Sequence, residues 1–203
     1  IAEKLKENIS LDELSLTVGR PIKVMLYKKA KDFEDAFETV GTPAIIEPKI
    51  DGFRMQIHRN KEEIKLFTRR LEDVTKQFPD VVKVVGSNVR SKDFILDTEI
   101  LGIDKKTKRA IPFQNISQRI KRKHDIEKYV KDVPVQFKIF DILYFDGKQF
   151  FDEPYQKRID LLKKIVHENK NIKIADRIET DNIAKINLFF SNMLKSGYEG
   201  IMI

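Results

Sequence analysis

The chain contains no cysteine, which excludes a disulfide framework and any metal site built on thiolates while saying little about compartment. It has no apolar run approaching the roughly 20 residues that span a bilayer. Its opening residues, Ile1-Ala2-Glu3-Lys4, have none of the charged-then-apolar pattern of a cleavable signal. Internal repeats and low-complexity stretches are lacking too. These absences point to a soluble, intracellular globular protein with no membrane partner. What is present is a chain of 203 residues, 41% of them hydrophobic, enough to bury a real core in one large or two small domains. The first residue is not methionine, and Ile203 falls inside an apolar, strand-like run. Both ends therefore read as cut from a longer protein.

A net charge of +7 with 35% charged residues biases the surface toward anionic partners. The excess is uneven. Arg119, Lys121, Arg122, Lys123, Lys128 and Lys131 crowd one segment against only Asp125 and Glu127. Such a run reads either as a solvated helix face or, if the neighbouring chemistry needs a phosphodiester substrate, as a nucleic-acid footprint.

Periodicity predicts a helix over 32–40, ended by Gly41-Thr42-Pro43, and strands on either side of a hairpin at Asp51-Gly52. Further strands follow at 63–68, 93–103, 135–144, 172–174 and 199–203, with helices at 75–85, 115–130, 155–167 and 182–194. Residues 1–15 read as a linker or the tail of a helix. Strands joined by hairpins, with helices between groups of them, argue for antiparallel sheets in an α+β architecture.

Glu47-Pro48-Lys49-Ile50-Asp51-Gly52-Phe53-Arg54 places a lysine where a strand meets its turn. Taken alone, the octapeptide reads either as an ordinary hairpin with an exposed lysine or as a nucleophile held on a rigid element. Phe67-Thr68-Arg69-Arg70 ends a strand in two guanidinium forks suited to phosphate. Leu96-Asp97-Thr98-Glu99 directs Asp97 and Glu99 to one face of a strand, where two anions repel unless a cation or arginine lies between them. Phe140, in Phe137-Lys138-Ile139-Phe140-Asp141-Ile142-Leu143-Tyr144, has the position of a buried core residue. Ser196-Gly197-Tyr198-Glu199-Gly200-Ile201-Met202-Ile203 closes the chain.

Taken in order, these segments resemble the motifs of ATP-dependent DNA ligases, beginning with the K-x-D-G-x-R nucleotidyl-acceptor motif at Lys49–Arg54. Gly19-Arg20-Pro21-Ile22-Lys23-Val24-Met25-Leu26 resembles the junction between the helical DNA-binding domain and the adenylation domain of archaeal and eukaryotic members, and Phe113-Gln114-Asn115-Ile116-Ser117-Gln118-Arg119-Ile120-Lys121-Arg122-Lys123 is similar to the archaeal versions in particular. The resemblance implies a nucleotidyltransferase (ATP-grasp-like) fold, with two antiparallel sheets flanked by helices around an ATP cleft. It implies that residues 1–20 are a linker or the end of an upstream helical DNA-binding domain. Residues 21–203 would be the adenylation domain, stopping short of the family's last lysine motif and OB domain.

By the same resemblance Lys49 is the catalytic nucleophile, Glu47, Arg54, Arg69, Glu99 and Phe140 contact the nucleotide, and Glu99 and Glu199 attend Mg2+. Phe140 would stack on adenine and Glu47 would read its amino edge. Arg70 stands where the family commonly has asparagine, and Asp97 carries over less directly than Glu99. A free lysine, with a pKa of about 10.4, is almost wholly protonated at neutral pH, so such a site must release a proton before attack. The implied activity is DNA ligation with ATP and Mg2+. A lysyl-AMP forms, AMP passes to the 5′-phosphate of nicked double-stranded DNA, and the strand is sealed, in replication, repair and recombination. The implied molecule is a monomer, with any sliding clamp engaged through regions outside this stretch. Two alternatives stay open: an RNA ligase or mRNA-capping enzyme with the same lysine chemistry, and a non-catalytic nucleic-acid-binding module.

Overall fold

A computed structural model of the chain describes residues 16–122 and 124–203. The linker or helix tail expected over residues 1–15, and with it most of the proposed upstream boundary, lies outside the described residues.

The alternation of Phe53, Met55 and Ile57 builds strand β2 (Phe53–Asn60), which turns back through Lys61 into β3 (Glu63–Thr68). On its other edge β2 pairs antiparallel with the long strand β4 (Asp93–Ile103), and β4 with β6 (Val135–Phe145). Asp146 and Gly147 then turn with φ of 42° and 87°, the geometry an Asp-Gly hairpin favours, into the short β7 (Lys148–Gln149). Two more short strands, β5 (Ala110–Ile111) on β4 and β8 (Ile172–Ile174) on β6, complete a sheet of seven. β8 runs parallel to β6, an exception to the otherwise antiparallel pairing.

A second sheet is smaller. β1 (Ala44–Lys49) lies between β9 (Ile178–Thr180) and β10 (Gly200–Met202), antiparallel to both. The hairpin expected at Asp51-Gly52 is therefore not formed. β1 and β2 belong to different sheets, and residues 50–52 carry the chain from one to the other. Gly52 is needed there for room: a Cβ would fall 2.4 Å from the Ile100 carbonyl oxygen and 3.0 Å from Glu99 Cγ.

Each sheet has its own core. Met55, Ile57 and Leu66 from the large sheet pack with Phe78, Val81 and Val85, the last two from helix α2 (Pro79–Asn88). Ala44 and Ile46 of β1 pack with Ile186 of α6 (Ile183–Lys195) and with Phe33 and Phe37 of α1 (Phe33–Val40). Caps fix both of these helices. The Asp32 side chain accepts from Asp35 N at 2.8 Å, and Asn182 accepts from Lys185 N at 3.2 Å. Helix α5 (Tyr155–Ile165) buries Ile159 and Leu162 in the large-sheet core.

The single helix predicted over 115–130 is instead two, α3 (Phe113–Ile120) and α4 (Ile126–Asp132). Asp125 adopts a left-handed φ of 56° just before α4, a conformation that no helix continues through. The break separates the basic residues. Lys121, Arg122, Lys128 and Lys131 are exposed, whereas Arg119 is fully buried and cannot join a surface footprint. Its guanidinium pairs with Asp80, donates to the carbonyls of Gln77 (2.9 Å) and Val133 (3.3 Å), and lies 4.3 Å from the Phe78 ring centre. The helix expected over 75–85 opens as a 3-10 turn, Thr75–Gln77, and restarts at Pro79, whose missing N–H costs nothing in a first turn.

Residues 16–26 form no strand with the large sheet. Polar side chains pin them along it. Leu16 N donates to Gln149 Oε1 (2.7 Å) and Gly19 N to His58 Nδ1 (3.0 Å). Gln56 exchanges two bonds with the Ile22 backbone, at 3.2 and 2.6 Å. His58 and Gln56 are each 1% exposed. Because Nδ1 accepts, the ring's proton belongs on Nε2, 3.2 Å from Gln56 Oε1.

Arg119→Met should lower stability to urea by about 3 kcal/mol, the cost of leaving a buried ion pair without one partner, and leave the salt dependence of binding to a polyanion such as heparin unchanged. Unchanged stability with a shallower salt slope would return Arg119 to the surface. Burial depresses the His58 pKa from 6.5 to about 4, so in that interval the unfolded chain binds a proton that the folded chain refuses. Stability should accordingly fall as pH drops from 6.5 to 4, by up to about 3 kcal/mol, and His58→Gln should flatten that part of the profile in denaturant titrations.

Candidate active site

Alternation along β1 buries Ala44, Ile46 and Pro48 and turns Glu47 and Lys49 to the opposite face. Lys49 is the last residue of β1, paired in register with Gly200. Its carbonyl accepts from Glu199 N at 3.1 Å, and its Nζ forms an ion pair with the Glu199 carboxylate. Glu199 thus stands directly against the lysine, with the two side chains 43% and 32% exposed. The Tyr27 ring centre lies 6.0 Å from Nζ.

The large sheet carries the other groups. Arg54 is in register with Glu99, and Glu99 with Lys138 across the next strand. The cation that the Asp97/Glu99 pair requires is Arg54. Its Nε donates to Asp97 Oδ1 at 2.9 Å and its Nη2 to Oδ2 at 2.5 Å, while Nη1 reaches the Met25 carbonyl at 3.0 Å. Two of the five guanidinium N–H groups remain for a ligand. Burial, and then the neighbouring Asp97 charge, push the Glu99 pKa up to about 8, against the pull of Arg54 and Lys49. A cation supplied with a ligand would reverse that balance and ionise Glu99.

Phe140 does not sit in the core. The pairing of β4 with β6 shifts register between Asp97↔Asp141 and Thr98↔Ile139, which makes Phe140 the extra residue of a β-bulge. Bulges re-aim side chains near sites. Here the ring is half-buried, outside both cores, with the Arg54 guanidinium 5.2 Å from its centre. Arg158 holds the following residue through Nε to Asp141 Oδ1 at 2.7 Å.

Polar side chains join the two sheets. Tyr155 Oη lies 2.7 Å from Glu47 Oε1 and 2.9 Å from the Phe140 carbonyl oxygen. Arg177 Nη2 is 3.3 Å from the same Glu47 oxygen. Lys138, 5% exposed, donates to Asp176 Oδ2 at 2.5 Å and to Tyr198 Oη at 3.0 Å. Burial raises the Glu47 pKa, opposed by Tyr155 and Arg177. Tyr155, Arg177 and Lys138 escape sequence reasoning because they belong to no motif; Lys138 alone had a signal, as a charged residue inside an otherwise apolar strand.

The structure thus gathers Glu47, Lys49, Arg54, Asp97, Glu99, Phe140 and Glu199 around the junction of the sheets. Arg69 and Arg70 are more peripheral. Thr68 pairs with Met55, so Arg69 follows β3 just beyond the Arg54 end of β2, and both arginines are exposed. Among the described residues no group of three or more His, Cys, Asp or Glu could cage a metal. Glu99 and Glu199 are nevertheless hard oxygen donors beside the same lysine, and such a pair suits Mg2+, which keeps water and takes phosphate oxygens with one or two carboxylates.

The sequence model of the family described as "ATP dependent DNA ligase domain" matches residues 24–203. The DNA ligase of Nanoarchaeum equitans is 46% identical over 94% of this chain and 34% of its own length. That of Sulfolobus acidocaldarius is 36% identical over 100% of this chain and 34% of its own. The chain therefore spans about a third of the length of these relatives. The fold is shared with a mycobacterial DNA ligase D complexed with ATP and MES, at a TM-score of 0.54 and 22% identity over 77% of this chain and 46% of that one. A Chlorella virus DNA ligase-adenylate superposes with a TM-score of 0.52 at 20% identity, over 82% and 54% of the two chains. With the family's model matching nearly the whole chain, and antiparallel sheets meeting where its motifs converge, the chain belongs to the ATP-dependent DNA ligase family.

Proposed function

We propose that residues 21–203 are the nucleotide-activating part of a DNA ligase, with Lys49 as the residue that takes AMP from ATP. The observation that carries this reading is the placement of Lys49 at the end of the small sheet, separated from β2 by three residues, within the same cluster as Arg54, Glu99 and Phe140. In the proposed step Nζ parts from Glu199, gives one proton to solvent to become a neutral amine, attacks the α-phosphorus of ATP, and gives its second proton to solvent as the P–N bond forms. The bridging P–O bond then breaks and pyrophosphate departs with its electron pair. Mg2+ held by Glu99 and Glu199 would supply positive charge at the phosphate oxygens. Arg54 and Arg69 supply further cationic donors to phosphate or ribose, and Phe140 offers a planar face to adenine.

The second substrate would be nicked double-stranded DNA, whose 5′-phosphate receives the AMP. The exposed Lys121, Arg122, Lys128 and Lys131 suit sequence-independent phosphate contacts. Among the described residues no helix is long and apolar enough to cross a membrane.

Incubation with α-32P-ATP should label the protein covalently, and Lys49→Ala and Lys49→Arg should both abolish the label, since guanidinium stays protonated. A label retained in either variant would place the nucleophile elsewhere. Phe140→Ala should weaken ATP binding by about 1–3 kcal/mol in calorimetry, the usual loss for one base–aromatic stack. Undiminished affinity would make the ring a packing residue.

A further inference from the structure

Strand β6 takes on an extra residue twice, at Phe140 and, between Ile95↔Tyr144 and Leu96↔Ile142, at Leu143. The first changes which side chains enter the core. Ile139 and Ile142 both belong to the large-sheet cluster, three residues apart where strict alternation would require two or four. Phe140 and Asp141 are thereby left together outside it. On the edge of β6 away from β4, β8 pairs with residues 137–139 and β7 with 144–145. Among the described residues, 140–143 therefore have no strand beside them on that edge. A bulge disrupts the ladder locally, and on an open edge its polar groups need partners from elsewhere.

The first turn of α5 supplies them. Tyr155 Oη reaches to 2.9 Å from the Phe140 carbonyl oxygen. Three residues on, and so on the same face of the helix, Arg158 grips Asp141 with two nitrogens, Nε to Oδ1 at 2.7 Å and Nη2 to Oδ2 at 3.2 Å. Nη1 donates backwards to the carbonyls of Glu153 (2.6 Å) and Phe151 (3.3 Å), in the loop that leads into α5. One guanidinium thus ties that loop to the bulge. Both side chains of the pair are mostly buried, and a two-pronged contact of this kind leaves a carboxylate little freedom to turn. Asp141 is in register with Asp97, whose own partner is Arg54, so each of the facing carboxylates has a separate arginine.

We propose that Arg158 is a positioning residue of the nucleotide site: by locking Asp141 it fixes the bulge, and so sets the direction of the Phe140 ring before a nucleotide arrives. The assignment rests on the reading of Phe140 as the base-stacking face. Four of the five Arg158 N–H groups are already committed to Asp141, Glu153 and Phe151, so the arginine acts through Phe140 and not on the nucleotide itself. A ring carried on an unsupported bulge would have to be ordered by the ligand, at the expense of affinity, whereas a clamped one is ready to receive it. The quality of the stacking face is then set from helix α5, outside every motif of the chain.

Equilibrium binding of ATP and of inorganic tripolyphosphate, which has no base to stack, separates positioning from general damage. Arg158→Met should weaken ATP by about tenfold, within the range for loss of one base–aromatic stack, and leave tripolyphosphate unchanged. A lone buried Asp141 is itself destabilising. The paired variant carrying Asp141→Asn as well removes the clamp without stranding a charge, and should show the same split. In a Phe140→Ala background, removing the clamp should weaken ATP no further, because the ring through which it acts is gone. Equal losses for ATP and tripolyphosphate would overturn the proposal, as would a full additional loss in the Phe140→Ala background. Loss of ATP affinity in Phe140→Ala with none in either clamp variant would overturn the proposal alone and leave the stacking face standing. Undiminished affinity in Phe140→Ala would remove the stacking face, and the proposal with it.

Discussion

The crossing of the chain from one sheet to the other within residues 50–52 is the constraint on which the rest depends. Lys49 and Arg54 are five residues apart, yet one ends the small sheet and the other begins along the large one. A crossing this short fixes both side chains relative to each other through two rigid ladders instead of a loop. It also demands that the turn lie against β4, where the absent Cβ of Gly52 gives the Ile100 carbonyl and Glu99 their room.

The two cores do not merge. The groups that join them are polar: Glu47 with Tyr155 and Arg177, and Lys138 with Asp176 and Tyr198. A polar junction is a poor source of stability, because each buried charge must recover its lost hydration from a partner. It is a good place for phosphate chemistry. Glu99, whose burial raises its pKa to about 8, would ionise fully only against an arriving cation, and arginines already ordered by Asp97 and Asp141 need little rearrangement.

Much of this was legible in the sequence, for reasons that differ by residue. The strand period alone placed Asp97 and Glu99 on one face, and the requirement for a cation between them anticipated Arg54 in kind if not by name. The Asp51-Gly52 dipeptide misled because its hairpin preference is local, whereas the partners of β1 are β9 and β10, two short strands more than 120 residues downstream. Arg119 misled in the opposite way: as part of a charged run it reads as surface, but Asp80 and Phe78 turn it inward. The orientation of Phe140 depends on a bulge, an extra residue that periodicity does not register. Tyr155 and Arg177 matter only through tertiary neighbours and leave no spacing to read.

The direct test of the account is peptide mapping by mass spectrometry after the unaltered protein has been incubated with ATP and Mg2+. The geometry predicts one AMP added per chain, on the peptide containing Lys49, removed by acid as a phosphoramidate is and reversed by added pyrophosphate. An adduct on any other residue, or none at saturating ATP in a protein shown to bind the nucleotide, would contradict it.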